Sequence, residues 1–410
     1  MPLRRNTGFR WLWIGQALSD TGTTAALIAY PLLVLALTHS AAIAGLVTTA
    51  RFAVQLVLGL PGGALADRLD RRLTMIACDS VRVGLLGLLG VLVLLNWVAW
   101  PAVLAVAVAD GAANVLFDPS VAAAQVIIVA DEQLEQAAAA SEGRAYAASL
   151  VGPALGGFLF GLGNSVPFLA DSASYLISAG TLSRIRGRFR PERSGKRAAL
   201  WRETAAGLHL VWREPLLRAV VIQAPLINFA FTGVIFTITV ALRQGGTAPG
   251  VIGLAQAGIA AGGLIGALIA PRLTNRLTMW QLNIALSTSA TAMLVVTAVL
   301  VPSPLAVVPV AIPILLGPTA NATLFAAQMR RTPRGMQGRV SSTVTLAATA
   351  LAAIAPLIAG LLVEHVSSQW AMGAFAAACG VSMITCLTLP GFRDAETPPE
   401  QAEGAGLTEA

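Results

Sequence analysis

The chain is 410 residues long, 56% hydrophobic and only 11% charged, with a formal net charge of +7 and a mean hydropathy of +0.74. Average soluble domains carry about 25% charged residues, so this composition excludes a soluble globular fold, and the lack of short alternating segments excludes a transmembrane barrel. The positive excess does not indicate nucleic acid, because the basic residues occupy short loops between apolar blocks with few aromatics among them.

The apolar blocks run to about 20 residues or more, enough to cross a hydrocarbon core of roughly 30 Å at 1.5 Å per residue. After a short head bearing Arg4, Arg5 and Arg10, they predict six spans at 9–37, 41–65, 73–95, 101–121, 139–162 and 165–183. Six more follow at 216–241, 249–270, 278–300, 303–327, 339–363 and 370–390. The first is too long and too polar in its middle for a cleaved signal peptide. This divides the chain into an N-terminal six-helix bundle (1–183), a basic linker (184–214), a C-terminal six-helix bundle (215–391) and a closing tail (392–410). The linker crowds together Arg184, Arg186, Arg188, Arg190, Arg193, Lys196 and Arg197, and the tail is polar and acidic, the composition of a disordered segment.

The turn after the second span is the most informative stretch. Gly63-Ala64-Leu65-Ala66-Asp67-Arg68-Leu69-Asp70-Arg71-Arg72 packs five charges between two apolar runs. Arg68-Leu69-Asp70-Arg71-Arg72-Leu73-Thr74-Met75 returns as Arg272-Leu273-Thr274-Asn275-Arg276-Leu277-Thr278-Met279, so position 68 maps to 272, a displacement of 204. A period of half the chain implies two copies of one folding unit. With the N-terminus inside, the outer connections hold only Arg243 among the 27 Lys and Arg residues, which places both termini in the cytoplasm of a multi-pass protein of the cell membrane. Cys78, Cys379 and Cys386 all lie in apolar blocks, an odd number with no metal spacing, and read as packing residues.

Two sets of six spans, a basic linker and a half-chain repeat together resemble the major facilitator superfamily, across residues 9–390. Gly63-x-x-x-Asp67-Arg68-x-x-Arg71-Arg72 is similar to that superfamily's signature loop between helices 2 and 3. Asp70 departs from it, standing where glycine is usual, and the second copy has Pro271 in place of the aspartate. Trp13-Ile14-Gly15-Gln16-Ala17-Leu18-Ser19-Asp20, Phe168-Leu169-Ala170-Asp171-Ser172 and Gly338-Arg339-Val340-Ser341 resemble the drug-efflux and siderophore-exporter branch. The resemblance implies an all-α integral membrane fold of twelve transmembrane helices, arranged as two pseudo-symmetric bundles. It also implies a cytoplasmic gate of Gly63, Asp67, Arg68, Arg71, Arg72, Asp118 and Arg339. In that gate Asp67 caps the eleventh helix near Arg339, and Arg71 meets Asp118. The alternative is a solvated positive-inside turn, which explains the arginines but not Asp67. Gly152-Pro153-x-x-Gly156-Gly157 resembles the antiporter signature of efflux members, with Ala148 where a further glycine is usual. It suits a helix-5 hinge, with a generic Gly/Pro kink as the alternative, and Pro356-x-x-x-Gly360 is its second-half counterpart.

Charges at bilayer depth cost roughly 2.5–3.5 kcal/mol on insertion scales and are functional hypotheses by default. Asp20 lies about 17 Å of helical rise into span 1 and Arg51 about 15 Å into span 2 from the opposite side, so the two are expected to pair. One reading is a packing pair; the other is an acid for which Arg51, substrate and proton compete. Asp110 and Asp171 complete the proton-coupling set. Gln16 with Asp20, Asp110 with Asn114, and Asn228 with Thr232 share helix faces at i, i+4. With Asn321 they are expected to line the substrate cavity, since spans 1, 4, 7 and 10 do so in proteins of this resemblance. Interhelical hydrogen bonding explains such faces as well. Asp171 is alternatively a bond to outer-loop backbone, and Asp79 with Arg82 reads as a local pair.

No Gly-rich phosphate loop with Lys-Ser/Thr is present, which argues against an ATP motor. His39, His209 and His365 have no partner at metal spacing, and no Ser/His/Asp arrangement suggests an enzyme; neither cofactor nor metal is expected. The reading is a monomeric secondary transporter that exports a small, largely apolar compound against protons by alternating access. A lipid or lysophospholipid flippase, an uptake permease and a non-transporting sensor or scaffold are the alternatives.

Overall fold

In the computed structural model, residues 3–66, 68–185, 189 and 208–394 are described. They form twelve long helices and no strand. In the first half these are α1 (Thr7–Thr38), α2 (Ala41–Ala66), α3 (Arg71–Leu94), α4 (Trp100–Ile128), α5 (Leu134–Leu162) and α6 (Val166–Arg184). The second half has α7 (Pro215–Gln244), α8 (Pro249–Thr274), α9 (Met279–Leu300), α10 (Val307–Arg331), α11 (Gln337–His365) and α12 (Ser368–Thr388). Eleven are long and apolar enough to cross a membrane; α6, the shortest, is not among them.

Most helix ends fall within a turn of the predicted spans. The main exception is α4, expected to stop at 121 but continuous to Ile128. Pro119 removes one backbone donor inside it, and Ser120 Oγ donates to the Leu116 carbonyl, so the helix continues through the proline. Caps fix the turn between the repeats' second and third helices. Asp70 accepts from the Leu73 amide at the start of α3, which gives the departure from glycine a structural reason. In the second copy Thr278 and Gln281 form a capping box one turn later.

The packing repeats with the sequence. In the first half α1 packs on α5 and α6, α2 on α4, and α3 on α4 and α6. In the second, α7 packs on α11 and α12, α8 on α10, and α9 on α10 and α12. Two seams join the halves, α2 with α11 and α5 with α8, and each maps onto the other when the halves are exchanged. The loop at 66–71 and the connections at 128–134, 274–279 and 331–337 define a basic end; those at 38–41, 162–166, 244–249 and 365–368 define the far end.

The close approaches across both seams lie toward the far end. A Cβ on Gly45 would meet the Pro356 carbonyl, and one on Gly360 the Ala41 carbonyl. On the other seam a Cβ on Gly157 would meet the Pro249 carbonyl, and one on Gly253 the Pro153 carbonyl. Thr49 Oγ1 accepts from the Leu357 amide at 3.0 Å, and Glu364 Oε2 accepts from Ser40 Oγ at 2.6 Å and the Ala42 amide at 2.8 Å. The largest apolar core also spans both halves, with Tyr30 edge-on to Phe168 and Phe229 tilted on Phe375.

The expected linker lies mostly outside the described residues, as does the tail beyond Asp394. The tail begins later than 392, because Phe392 is fully buried against the α7 start and Gly391 lets the chain pass the Pro215 carbonyl. Cys78, Cys379 and Cys386 are free and buried.

Candidate functional site: a charge network facing a central cavity

The site begins with a glycine. Gly111 on α4 brings that helix onto α2, where an added Cβ would stand 3.0 Å from the Arg51 carbonyl. Beside it, Arg51 reaches Asp110, with Nε at 3.0 Å and Nη2 at 2.9 Å from Oδ2. The expected Asp20–Arg51 pair is therefore corrected. Equal depth did not decide it; the α2–α4 contact did.

Asp110 also receives Arg82 from α3, with Nε 3.4 Å from Oδ1. Arg82 donates through Nη2 to Asn114 Oδ1 at 2.7 Å, lies over the rings of Phe117 and Tyr175, and has Nη1 4.0 Å from Asp79. Far from being half of a local pair, it is the hub of the network. The chain of bonds continues from Asn114 Nδ2 to Asp118 Oδ2 at 2.7 Å. In this conformation Asp118 is held by Asn114. Because α4 runs ten residues past it, Asp118 sits about 15 Å inside the helix end.

A second set of small residues places Asp20. Gly152 and Gly156 of α5 pack onto Thr24 and Ala25 of α1, where a Cβ would clash. This contact sets Arg144, two turns nearer the basic end of α5, with Nε 3.3 Å from Asp20 Oδ2. Gln16, one turn from Asp20, is buried with its Nε2 unpartnered, and Thr23 bonds the Tyr175 hydroxyl at 2.6 Å. Asp171 is 2% exposed and accepts from Ser174 Oγ, so it belongs to the interior and not to an outer loop. In all, the first half gathers five carboxylates (Asp20, Asp79, Asp110, Asp118, Asp171) around three guanidiniums (Arg51, Arg82, Arg144). Arg144 and Tyr175 escaped the sequence reading, and Arg82 entered it only as the local partner of Asp79.

Three adjoining cavities run past this network. One of about 450 Å³ lies within the first half and is lined by Gln16, Asp20, Arg82, Asn114, Asp118 and Arg144. It shares Thr24 with an apolar cavity of about 280 Å³ at the junction of the halves, lined by Leu27, Ile28, Pro31, Phe236 and Pro356. That one shares Phe52 and Thr232 with the third, about 820 Å³, between α2, α7 and α11. Its wall carries Asn228, Thr232, Ser341, Ser342, Thr345 and Thr349. Asn228 also donates to the Ala348 carbonyl. Asn321 stands apart, exposed on α10 outside these three cavities.

Gly59 and Gly338, toward the basic end of α2 and α11, both line the largest cavity and have open space where a Cβ would be. The signature loop packs on its own half: Arg72 donates through Nε to the Leu182 carbonyl at 3.1 Å and through Nη2 to that of Ser183. The Arg71 amide reaches the Phe189 carbonyl, Arg68 is exposed, and Gly63 has no neighbour at its Cβ position. Asp67 lies outside the described residues, and Arg339 begins α11, half-buried. The Gly152–Gly157 stretch meets two partners, with Gly152 and Gly156 on α1 and Gly157 on α8. Among the described residues, no three His, Cys, Asp or Glu side chains are grouped as a metal site requires.

A family model described as the Major Facilitator Superfamily matches residues 12–356. The multidrug efflux pump Tap of Mycobacterium tuberculosis, and likewise that of Mycobacterium bovis, is 25% identical over 405 residues, covering 93% of this chain and 93% of the relative. Among solved structures, an inward-facing bacterial homologue of the human lysosomal transporter Spinster superposes with a TM-score of 0.76 at 14% identity, covering 97% of this chain and all of that one. A bacterial homologue of the iron transporter ferroportin, also inward-facing, gives 0.71 at 17% identity, covering 95% and 99%. The nucleoside transporter NupG gives 0.70 at 11%, covering 93% and 98%.

Proposed function

The chain belongs to the major facilitator superfamily, and from that premise we propose that it is a proton-driven exporter of a small, largely apolar compound. It works by alternating access in the cell membrane, as a monomer, with the basic end and both termini in the cytoplasm. The observation that carries this is the imbalance of the first-half charge network, five carboxylates to three guanidiniums, with Asp79, Asp110 and Asp171 buried and Asp20 and Asp118 lining the cavity. An excess of acids with no matching cation at membrane depth is costly unless protons complete it. Apolar cargo is supported by the junction cavity, walled by Leu27, Ile28, Pro31 and Phe236, and export by the likeness to Tap. Protons are a coupling partner, and no enzymatic step, metal or cofactor is invoked.

In the cycle, the halves rock about the seams while the Gly152–Gly157 stretch serves as the hinge on α1 and α8. The far-end contacts hold that side shut in the conformation described, so the cavity faces the cytoplasm. When the basic end closes, Asp67, Arg68, Arg71 and Arg72 meet the start of α11 at Arg339. The test is movement of a lipophilic fluorescent dye in proteoliposomes against an imposed pH gradient. Asp20→Asn, fixed in the neutral form, abolishes gradient-driven accumulation while downhill exchange persists. Retention of gradient-driven movement by Asp20→Asn, Asp79→Asn, Asp110→Asn and Asp171→Asn alike overturns the reading. Accumulation in the opposite sense, with the orientation checked, makes it an uptake permease.

A further inference from the structure

Asp79 on α3 has 0% exposure, and neither of its carboxylate oxygens has a hydrogen-bond partner. A buried ionised carboxylate whose nearest cation stands 4.0 Å away is poorly compensated for its desolvation, while a neutral carboxyl bears much less of that cost. The groups around it explain how it tolerates both forms. From α3 itself come Cys78 and Arg82; from α4, Asp110, Asn114 and Asp118 surround Arg82. From α6 come Tyr175 over Arg82 and Ser178 beside Asp79, with Asp171 two turns away; Ser178 Oγ also lacks a hydrogen-bond partner. Near Ser178, α1 brings up Gly15, where a Cβ would stand 3.5 Å from the Ser178 hydroxyl.

Arg82 is the cation of this set with two places to go. It now leans on Asp110, which Arg51 already neutralises at 2.9 Å, and it stands 4.0 Å from Asp79. We propose that Asp79 carries a transported proton and that Arg82 is its switch, held by Asp110 and Asn114 while Asp79 is neutral and moving to Asp79 when it ionises. This deepens the proton-driven reading and rests on it. In the step, the Asp79 O–H bond breaks, the proton leaves past Arg82 and Tyr175 to water in the cavity that those two line, and the carboxylate that remains takes Arg82. Two matched pairs result, Arg51 with Asp110 and Arg82 with Asp79. The described conformation, with Arg82 on Asp110 and the far-end seams closed, corresponds to neutral Asp79.

The test reads conformation and needs no cargo. Spin labels on cysteines replacing Gly59 and Gly338, which have free space at their Cβ positions, report the separation of α2 and α11 at the basic end; the native cysteines are buried. With the full chain in lipid nanodiscs, the wild-type distance is long at about pH 5 and shortens towards about pH 8. Asp79→Asn keeps the long distance throughout, Asp79→Glu titrates with a displaced midpoint, and Asp131→Asn, an exposed acid before α5, follows wild type. If Asp79→Asn titrates as wild type does, Asp79 is not the carrier and the broader reading stands. If wild type itself ignores pH, proton drive fails and this inference fails with it. Should Asp79→Asn not fold, Asp79→Glu decides, and an undisplaced midpoint overturns the assignment.

Discussion

The two halves share a packing plan and differ in what they bury. Position 79 maps to Asn283, 82 to Leu286, 171 to Phe375 and 178 to Ser382. Asn283 is as buried as Asp79, yet both ends of its amide are used: Nδ2 donates to the Met279 carbonyl at 2.8 Å and Oδ1 accepts from Gln223 at 3.3 Å. Ser382 has a partner in Ser287, where Ser178 has no hydrogen bond. Phe375 fills the niche opened by Gly233, while Asp171 lies against Gly22. The second half is therefore a neutral interior with charges only near its helix ends, where among the described residues only Thr319 and Gln328 leave buried polar atoms open, and the first is a charged interior with many more valences left open. Symmetry is preserved by small residues at helix crossings, and chemistry departs from it wherever a side chain points inward. One half holds the ions while the other supplies hydroxyls and apolar surface.

The contrast is broken most severely by removing its anchor. Asp110→Ala strands Arg51 and Arg82 together, and loss of one partner of a buried ion pair costs about 3–5 kcal/mol; little folded protein is expected from detergent extraction. The satisfied counterpart is gentler, Asn283→Ala costing about 1–2 kcal/mol by thermal unfolding, and an equal loss from the two variants refutes the contrast. The seams come next and should respond alike because they are equivalent. Gly157→Leu and Gly45→Leu each force a side chain onto backbone, an overpacking of about 1–3 kcal/mol that falls on the closed conformation. A cysteine at Ala359, fully buried in the far-end core, is then labelled quickly in both variants and slowly without them. Glu364→Gln acts on the α2–α11 seam alone and raises labelling at Ala359 only a few-fold, since Ser40 and Ala42 keep a weaker acceptor. The smallest effects come from the repeated caps, where Asp70→Ala and Thr278→Ala each cost about 1 kcal/mol in thermal stability. A much larger loss from either shows that its turn does more than end a helix.

Helix positions, the repeat and the membrane setting could be read from the sequence because they depend on hydrophobic period and loop charge, which are local. Asp20, Arg51, Asp110 and Asp171 could be picked out one at a time for the same reason, as charges inside apolar runs. Their partners could not be read, because pairing follows from which helices touch. Asp20 and Arg51 are matched in depth, yet Arg144 and Asp110 are their partners, since Gly152 and Gly156 bring α5 to α1 and Gly111 brings α4 to α2. Arg144 was concealed by its place five residues inside a span predicted to start at 139. The hydroxyls at 341, 345 and 349 had the four-residue spacing of one helix face, a signal present in the chain, but only the cavity shows that this face is turned inward.

The glycine contacts at the seams also have a mechanical consequence. At Gly45, Gly360, Gly157 and Gly253 backbone rests on backbone, so at those four points no side chain stands between the helices. These contacts form two small patches, one on each side of the molecule. A rigid body pinned at two points keeps a single degree of freedom, rotation about the line that joins them. While the far end is shut, sliding or twisting one half against the other would lift at least one glycine off its partner, whereas a rocking of the basic end about that line lifts neither. The far-end seams thus act as the bearing of a lever, and the helix ends with the greatest travel are those farthest from it, where Gly59 and Gly338 stand.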